Sequence, residues 1–258
     1  MSNVTHRMIF QAMERWAPAH FAYDWDPIGL QVGAYDVQTT GVLVTLDVNE
    51  AVIQEATKKD VNVIIAHHPF LFKPLQSIQF DSPKGKCLHL LFRHEITVYA
   101  SHTNLDIAEG GVNDLLANAL QLEDVQPLVT THTEKLYKVI VFTPVDYVQQ
   151  VIDAMSESGA GHIGNYSYCT FQTAGKGTFK PLEGSNPFIG TEHTIESVDE
   201  IKVEMIVQET ILQRVIHAMN DAHPYEEVAY DIIPLANDGK SFGIGRIGTL
   251  KDATTLGR

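Results

Sequence analysis

Cysteine is nearly missing from the 258-residue sequence: only Cys87 and Cys169 occur, far apart along the chain. Two isolated thiols build no disulfide framework, which fits a reducing cytoplasm, and both read as packing residues. Positive charge is also short. With 18 Lys+Arg against 32 Asp+Glu, the formal net charge is −14. A field of that sign repels phosphate backbones, and no basic patch counters it, so nucleic acid is disfavoured as a partner. No hydrophobic run is long enough to span a membrane. The opening stretch MSNVTHRMIFQAMERWAP lacks a basic region followed by an apolar one, so it reads as a short amphipathic helix and not as an export leader. An apolar fraction of 44% and a charged fraction of 19% exclude disordered, collagen-like and coiled-coil chains. What the sequence does hold is histidine, twelve in all.

The length allows one or two domains, and the patterning favours two. Gly41 to Asp47 (GVLVTLD) reads as a buried strand, Asn49 to Asp60 as a helix behind an Asn cap, and Val61 to Ala66 as the next strand. Lys84 to Glu95 has helical spacing, Ile96 to Ala100 is β-rich, and Gly110 to Gln121 opens another helix. Strands alternating with helices predict a parallel-rich α/β sheet. From Tyr137 the pattern changes. A shift of 64 residues lays Lys138–Met155 over Lys202–Met219, with identities at Lys138/Lys202, Val139/Val203, Gln149/Gln213, Val151/Val215, Ile152/Ile216, Ala154/Ala218 and Met155/Met219. Each copy reads strand, helix, strand, the last strands being Asn165 to Thr173 and Glu227 to Leu235. Two such halves make a ferredoxin-like α+β domain. The expected division is 1–131 for the α/β domain, 132–236 for the inserted ferredoxin-like domain, and 237–258 for the return to the first. Gly175 to Thr194, rich in Gly and Pro, is expected as a long hairpin or projecting loop.

The chemistry gathers at strand ends. In IIAHHPFLF, His67 and His68 leave the strand that ends at Ala66; in SHTNLD, Ser101 to Asp106 follow the strand that ends at Ala100. Loops at the carboxyl ends of parallel strands converge, so neighbouring strands would bring His67, His68, His102, Asn104 and Asp106 to one edge. Imidazoles with a carboxylate are ligands for Zn, Mn or Fe. Adjacent residues of an extended segment point to opposite sides, which suggests one ion per histidine with Asp106 between the two. Paired ions activate water and steady a developing oxyanion. Asp47 is expected as a cap or as a support for a ligand. The plain alternative is a polar loop start at His67 and a helix-capping turn at Ser101 to Asp106.

Other motifs are weaker. GIGRIG (Gly243 to Gly248) has dinucleotide-site spacing but not the βαβ unit such a site requires. Lys176 between glycines lacks P-loop spacing. HPYEE (His223 to Glu227) falls at the turn before a strand, where turn chemistry is expected ahead of metal binding. Ser101, His102 and Asp106 are too local for a nucleophilic triad. His89, His94 and His217 fall on helices as solvated or half-buried faces.

Together DWDPIGLQVG (Asp24 to Gly33), IIAHHPFLF, SHTNLDIAEGGVND and GIGRIGTL resemble the signatures of the GTP cyclohydrolase I type 2 homologue family, the Nif-three-like proteins. The resemblance covers essentially the whole chain. The segments around Cys169 and HPYEEVAYDI are similar to the inserted module of the longer bacterial forms, itself like CutA and PII-type domains. The resemblance implies a dinuclear site held by His67, His68 and Asp106, with His102 and Asn104 close by as supporting residues. Zn is the first expectation for both ions, with Mn or Fe as alternatives. It also implies a toroidal homohexamer and a nucleotide-type substrate. Family members continue after the GRIG segment into a second α/β half that supplies a further His and Glu ligand; this sequence stops at Arg258.

Two functions follow. The first is a metal-dependent hydrolase in which His67, His68 and Asp106 hold two divalent ions and a hydroxide attacks a purine-type ring carbon. The second is a non-enzymatic, ring-forming metal-binding regulator or scaffold. The self-similar inserted domain, which carries no catalytic constellation, favours the second; the strand-end histidines favour the first.

Overall fold

The computed structural model describes residues 4–253; residues 1–3 and 254–258, the outer ends of the expected first helix and last segment, lie outside the described residues. The chain divides into two compact units, 1–132 with 242–258, and 133–241.

The first unit contains α1 (His6–Trp16), β1 (Gly29–Val32), β2 (Val42–Thr45), α2 (Glu50–Lys58), β3 (Val63–Ala66), α3 (Pro83–Arg93), β4 (Thr97–Ala100), α4 (Thr103–Ile107) and α5 (Val112–Ala119). Its four-stranded sheet runs β1-β4-β3-β2. The β2/β3 and β3/β4 pairs are parallel, and β1 adds antiparallel to β4 at the edge. α2 starts where it does because the Asn49 side chain accepts the Val52 N–H at 3.0 Å. α3 starts after Ser82, whose hydroxyl accepts the Gly85 N–H at 3.0 Å, with Pro83 at the first helical position. Every residue of β3 and β4 is buried, as central parallel strands covered on both faces require. Alternate residues serve opposite faces. Ile64 and Val98 pack with Ile53 of α2 and Leu91 of α3, while Val63, Ile65 and Tyr99 pack with Phe10 of α1. Phe10 stacks on Tyr99 with centroids 4.5 Å apart. Each fully buried Ile or Leu contributes about 1.5–3 kcal/mol. Cys87 is buried in this core.

The second unit is built from β5 (Leu122–Pro144), α6 (Val148–Glu157), β6 (Thr170–Phe179), β7 (Glu196–Gln208), α7 (Leu212–Ala222) and β8 (Tyr230–Leu250). The chain passes between the units within β5 and again within β8. The sheet order β6-β7-β5-β8 is that of two interleaved βαβ halves, the ferredoxin-like arrangement. The internal repeat is visible in the packing. Repeat-equivalent pairs Val139/Val203, Val141/Met205, Val151/Val215, Ile152/Ile216 and Met155/Met219 are all in one buried cluster. β5 and β7 run antiparallel with Ile140 opposite Glu204, its own equivalent in the second copy, so the local pseudo-dyad passes through that pair.

Gly175 to Thr194 is the turn end of a long hairpin, as expected: its first five residues extend β6, paired with β7 as far as Phe179 opposite Glu196. Other expectations need correction. The strand expected from Asn165 begins only at Thr170, and the one expected from Glu227 begins at Tyr230 and runs to Leu250. β1, α4 and the long first part of β5 were not foreseen. Among the described residues, no helix is long and apolar enough to cross a membrane.

Candidate metal centre

β3 and β4 are neighbours in register, Ala66 opposite Ala100, so the segments that follow them leave the sheet side by side. The ladder continues past the strand ends. The His67 N–H donates to Thr45 O at 3.0 Å, the His68 N–H to Leu46 O at 2.9 Å, and the Ser101 N–H to Ala66 O at 3.0 Å. Backbone pairing on both sides therefore holds the paired histidines in place.

Three imidazoles meet there. The His67 and His68 ring centroids are 5.1 Å apart, His67 and His102 5.2 Å, and His68 and His102 5.7 Å. This corrects the expectation that His67 and His68 point to opposite sides: the strand ends at Ala66, and the chain is no longer a regular strand where the two rings project. One ring nitrogen from each of the three lies within 4.8 Å of those of the others. His102, expected as a supporting residue, thus stands with the other two as a candidate ligand.

In each ring Nδ1 faces an oxygen acceptor: Ser101 O at 3.0 Å for His67, Asp47 Oδ1 at 2.9 Å for His68, and Asp26 Oδ1 at 2.9 Å for His102. A proton on Nδ1 satisfies each bond and leaves the lone pair on Nε2, the tautomer a metal ligand needs. Asp106, placed by the short α4, brings Oδ1 to 3.5 Å from His67 Nε2. The environments differ. The His67, His102 and Asp106 side chains are mostly buried, whereas His68 is about half exposed and so opens the site to solvent.

The donor set fits a divalent ion of borderline softness. Zn–N bonds of about 2.0–2.1 Å from these nitrogens to a common ion would need ring movements; Asp106 stands beside His67 but outside the three-imidazole cluster. Asn104 does not belong to that set. Its side chain is buried, with Nδ2 donating to Ala17 O at 2.7 Å and Oδ1 accepting the His102 N–H at 2.9 Å and the Ser101 hydroxyl at 3.3 Å. It frames the turn that carries His102. Asp47, whose carboxylate bonds His68, supports a candidate ligand; the cap of α2 is Asn49.

Residue-by-residue reading missed Asp26. Its carboxylate is wholly buried; Oδ1 holds His102, and Oδ2 accepts the Thr103 N–H at 3.0 Å and the Thr103 hydroxyl. The signal was available: DWDP places a charged residue immediately before Pro27, ahead of an apolar stretch. Beside it lies an aromatic platform. Trp25, largely exposed, stacks on Tyr23 at 5.6 Å with rings 10° from parallel and meets Phe72 at 6.1 Å.

The set-aside motifs have structural explanations. GIGRIG lies in β8, where a Cβ on Gly243 would come within 2.0 Å of Val129 O. Arg246, nearly buried, pairs with Asp114 and donates to Gly243 O at 2.8 Å and Gly245 O at 2.9 Å. His223 Nε2 donates to Phe142 O at 3.0 Å, and its Nδ1 accepts the Tyr225 N–H at 3.1 Å, so both ring nitrogens are engaged in turn chemistry.

Comparison with known proteins gives a consistent picture. The family described as Duf34/NIF3 (NGG1p interacting factor 3) matches residues 4–258. A protein of Halalkalibacterium halodurans called "GTP cyclohydrolase 1 type 2 homolog" is 50% identical over 248 residues, covering 96% of this chain and 67% of its own. One of Bacillus subtilis with the same name is 47% identical, covering 98% of this chain and 68% of its own. A solved structure, "The Crystal Structure of Bacillus cereus protein related to NIF3", superposes with a TM-score of 0.91 at 45% identity, over 100% of this chain and 68% of that one. The chain spans about two thirds of the length of these relatives.

Proposed function

The chain belongs to the Duf34/NIF3 family, and from that premise we propose that it is a divalent-metal-dependent hydrolase acting on a nucleotide-type substrate. The observation that carries the reading is the convergence of His67, His68 and His102, each with its Nδ1 held by an oxygen acceptor. Structural imidazoles seldom present three lone pairs to one point; ligands do. We propose that His67, His68, His102 and Asp106 would hold two divalent ions. The nitrogen-rich set favours Zn, with Mn or Fe as alternatives. When bound, such ions would supply Lewis acidity, acidifying water and offsetting the negative charge that develops on a substrate oxygen or nitrogen as the neighbouring carbon is attacked.

The chain's own residues do the rest. Asp26, Asp47 and Ser101 O fix ring orientation, and they raise the basicity of the nitrogens that face the ions. Asp106, whose Oδ1 lies 3.5 Å from His67 Nε2, would serve as the carboxylate ligand beside the imidazoles. The exposed Trp25 platform, on the residue next to Asp26, suits a flat ring, which supports a purine-type substrate.

The purified chain, loaded with Zn or Mn and incubated with GTP and related nucleotides, is expected to release a ring-opened or hydrolysed product. The same chain carrying His68→Ala is expected to release none. Metal-loaded protein that leaves every nucleotide untouched would remove the hydrolase reading while leaving the metal site.

A second reading is favoured by α5 and its C-cap, where Leu115, Leu116 and Leu120 are each more than half exposed. Apolar residues grouped on one helix suit contact between copies, as a metal-binding ring or scaffold of the hexameric type would need. Light scattering on native chain and on Leu116→Glu tests it: an oligomer that the substitution dissolves supports the scaffold.

A further inference from the structure

The second unit contains a cavity that nothing in the metal chemistry explains. It measures 710 Å³ and lies on the face of the β5/β7/β6 sheet turned away from α6 and α7, under the segments 180–189 and 225–229. Even-numbered residues of β7, Glu200 and Lys202, line it, while odd-numbered Val203, Met205 and Val207 build the core on the helical side. The volume is that of a small-molecule site and far too large for an ion.

Its walls are aromatic. Tyr225 lies 5.9 Å from Phe179 and 6.2 Å from Phe188 between ring centroids, and Phe188 is braced edge-on by Tyr147 at 5.5 Å. At its floor is a carboxylate. Glu200 is only 8% exposed, and its Oε1 accepts the Tyr225 hydroxyl at 3.0 Å. Among the described residues Oε2 receives no hydrogen bond. Gly177 makes the room for it, since a Cβ there would stand 2.1 Å from Oε2. The Tyr225 phenol is pushed well above its ordinary value, by burial first and by the Glu200 hydrogen bond and charge second, so it stays a donor.

Lys180 and Glu227 also line the cavity, and several of the other charges there are paired. Lys202 Nζ is 3.3 Å from Glu204, Lys176 Nζ is 2.8 Å from Asp199, and the Glu226 carboxylate accepts the Asn186 N–H at 3.1 Å. A charged donor entering the cavity would meet Oε2, which has acceptor capacity to spare. Glu200, Glu226 and Glu227 all line the cavity, but among the described residues they form no converging set of metal donors. Aromatic faces around an anionic floor match an organic ammonium: the head group against Oε2, the body among the rings.

We propose that this cavity is a binding site for a small organic amine with an apolar or aromatic body, recognised by Glu200 and enclosed by Tyr225, Phe179 and Phe188. The site is independent of the metal centre.

Isothermal titration of the full chain with three matched probes tests it: phenethylamine, 2-phenylethanol and 3-phenylpropionate. The amine is expected to bind about tenfold or more tighter than the alcohol, and the acid weakest. Glu200→Gln is expected to remove that advantage while leaving the alcohol unchanged, and Phe188→Ala to weaken amine and alcohol alike. Gly177→Ala, which displaces Oε2, should act as Glu200→Gln does. Equal binding of the three probes, no binding at millimolar concentration, or an amine preference that survives Glu200→Gln overturns the proposal. Should Glu200→Gln fail to fold by circular dichroism, the ranking of the probes on the native chain decides.

Discussion

Asp26 Oδ1 lies 2.9 Å from His102 Nδ1, although 76 residues separate the two along the chain. The carboxylate is fully buried and its other oxygen takes the Thr103 N–H, so one side chain sets both the orientation of an imidazole and the start of α4. Asp26→Asn keeps the shape but offers an amide N–H₂ to groups that are themselves donors. The expected result is a loss of about 1–3 kcal/mol in stability. Zn affinity should also fall, about 10- to 100-fold. Urea denaturation of metal-free protein measures the first, and competition titration with a chromophoric chelator the second. An unchanged affinity would show that His102 does not ligate.

His68 and Asn104 should separate metal binding from stability. The His68 side chain is about half exposed and bonds only the exposed Asp47, so His68→Ala should leave metal-free stability within about 0.5 kcal/mol. Bound metal, read by elemental analysis after dialysis, should drop sharply. Asn104→Ala should do the reverse. It strands the Ala17 carbonyl and the His102 N–H in the interior, at about 1–3 kcal/mol, with metal lost only as far as the turn loosens.

The contrast explains what could be read from residues alone. His67, His68, His102 and Asp106 were visible because each follows a strand whose apolar run is unmistakable, Val63–Ala66 or Thr97–Ala100, and chain ends of adjacent strands converge. The division of labour among them was not. Whether an Asn or a His joins the imidazole cluster depends on a turn, and Asn104 turns inward to bond Ala17, which lies 87 residues away. Asp26 escaped notice for a similar reason: its partners come from a segment whose nearness follows only from the fold.

The second unit shows the same limit differently. Its core was legible in the repeat, because buried residues such as Val151/Val215 and Met155/Met219 keep helical spacing in both copies. The first half of β5 was not, since Leu122 to Glu134 is mostly exposed and carries Pro127. Without a buried face there is no apolar alternation to detect. β8 was legible as far as Leu235, as the last strand of the second copy, and its continuation to Leu250 was not.

Arg246 gives a prediction for the GRIG segment. Its side chain is nearly buried and bonds Asp114 together with the Gly243 and Gly245 carbonyls. Arg246→Ala leaves Asp114 with the Gly110 N–H and some solvent, so the loss should be at or below about 3 kcal/mol. Arg246→Lys should recover little of it, because an ammonium lacks the planar fork that reaches carboxylate and carbonyls together. The midpoint of urea unfolding for the three chains is the measurement.

His223 makes stability depend on pH. Burial pushes its pKa below the ordinary 6.5, against a smaller opposing pull from the Phe142 carbonyl. The geometry agrees with a neutral ring: Nε2 donates to Phe142 O, and Nδ1 accepts the Tyr225 N–H. A second proton on Nδ1 would face that donor. Above 6.5 the ring is neutral folded or unfolded, and the native contribution is fully present. As the pH falls below 6.5 the unfolded chain takes up a proton that the folded chain resists, so stability declines until the pH passes the lowered native value. His223→Gln offers a donor and an acceptor without titrating. It should flatten that part of the profile while lowering stability at neutral pH by about 1 kcal/mol. Unfolding free energies from pH 5 to 8 for the two chains would decide the matter, and identical slopes would mean that His223 is protonated equally in both states.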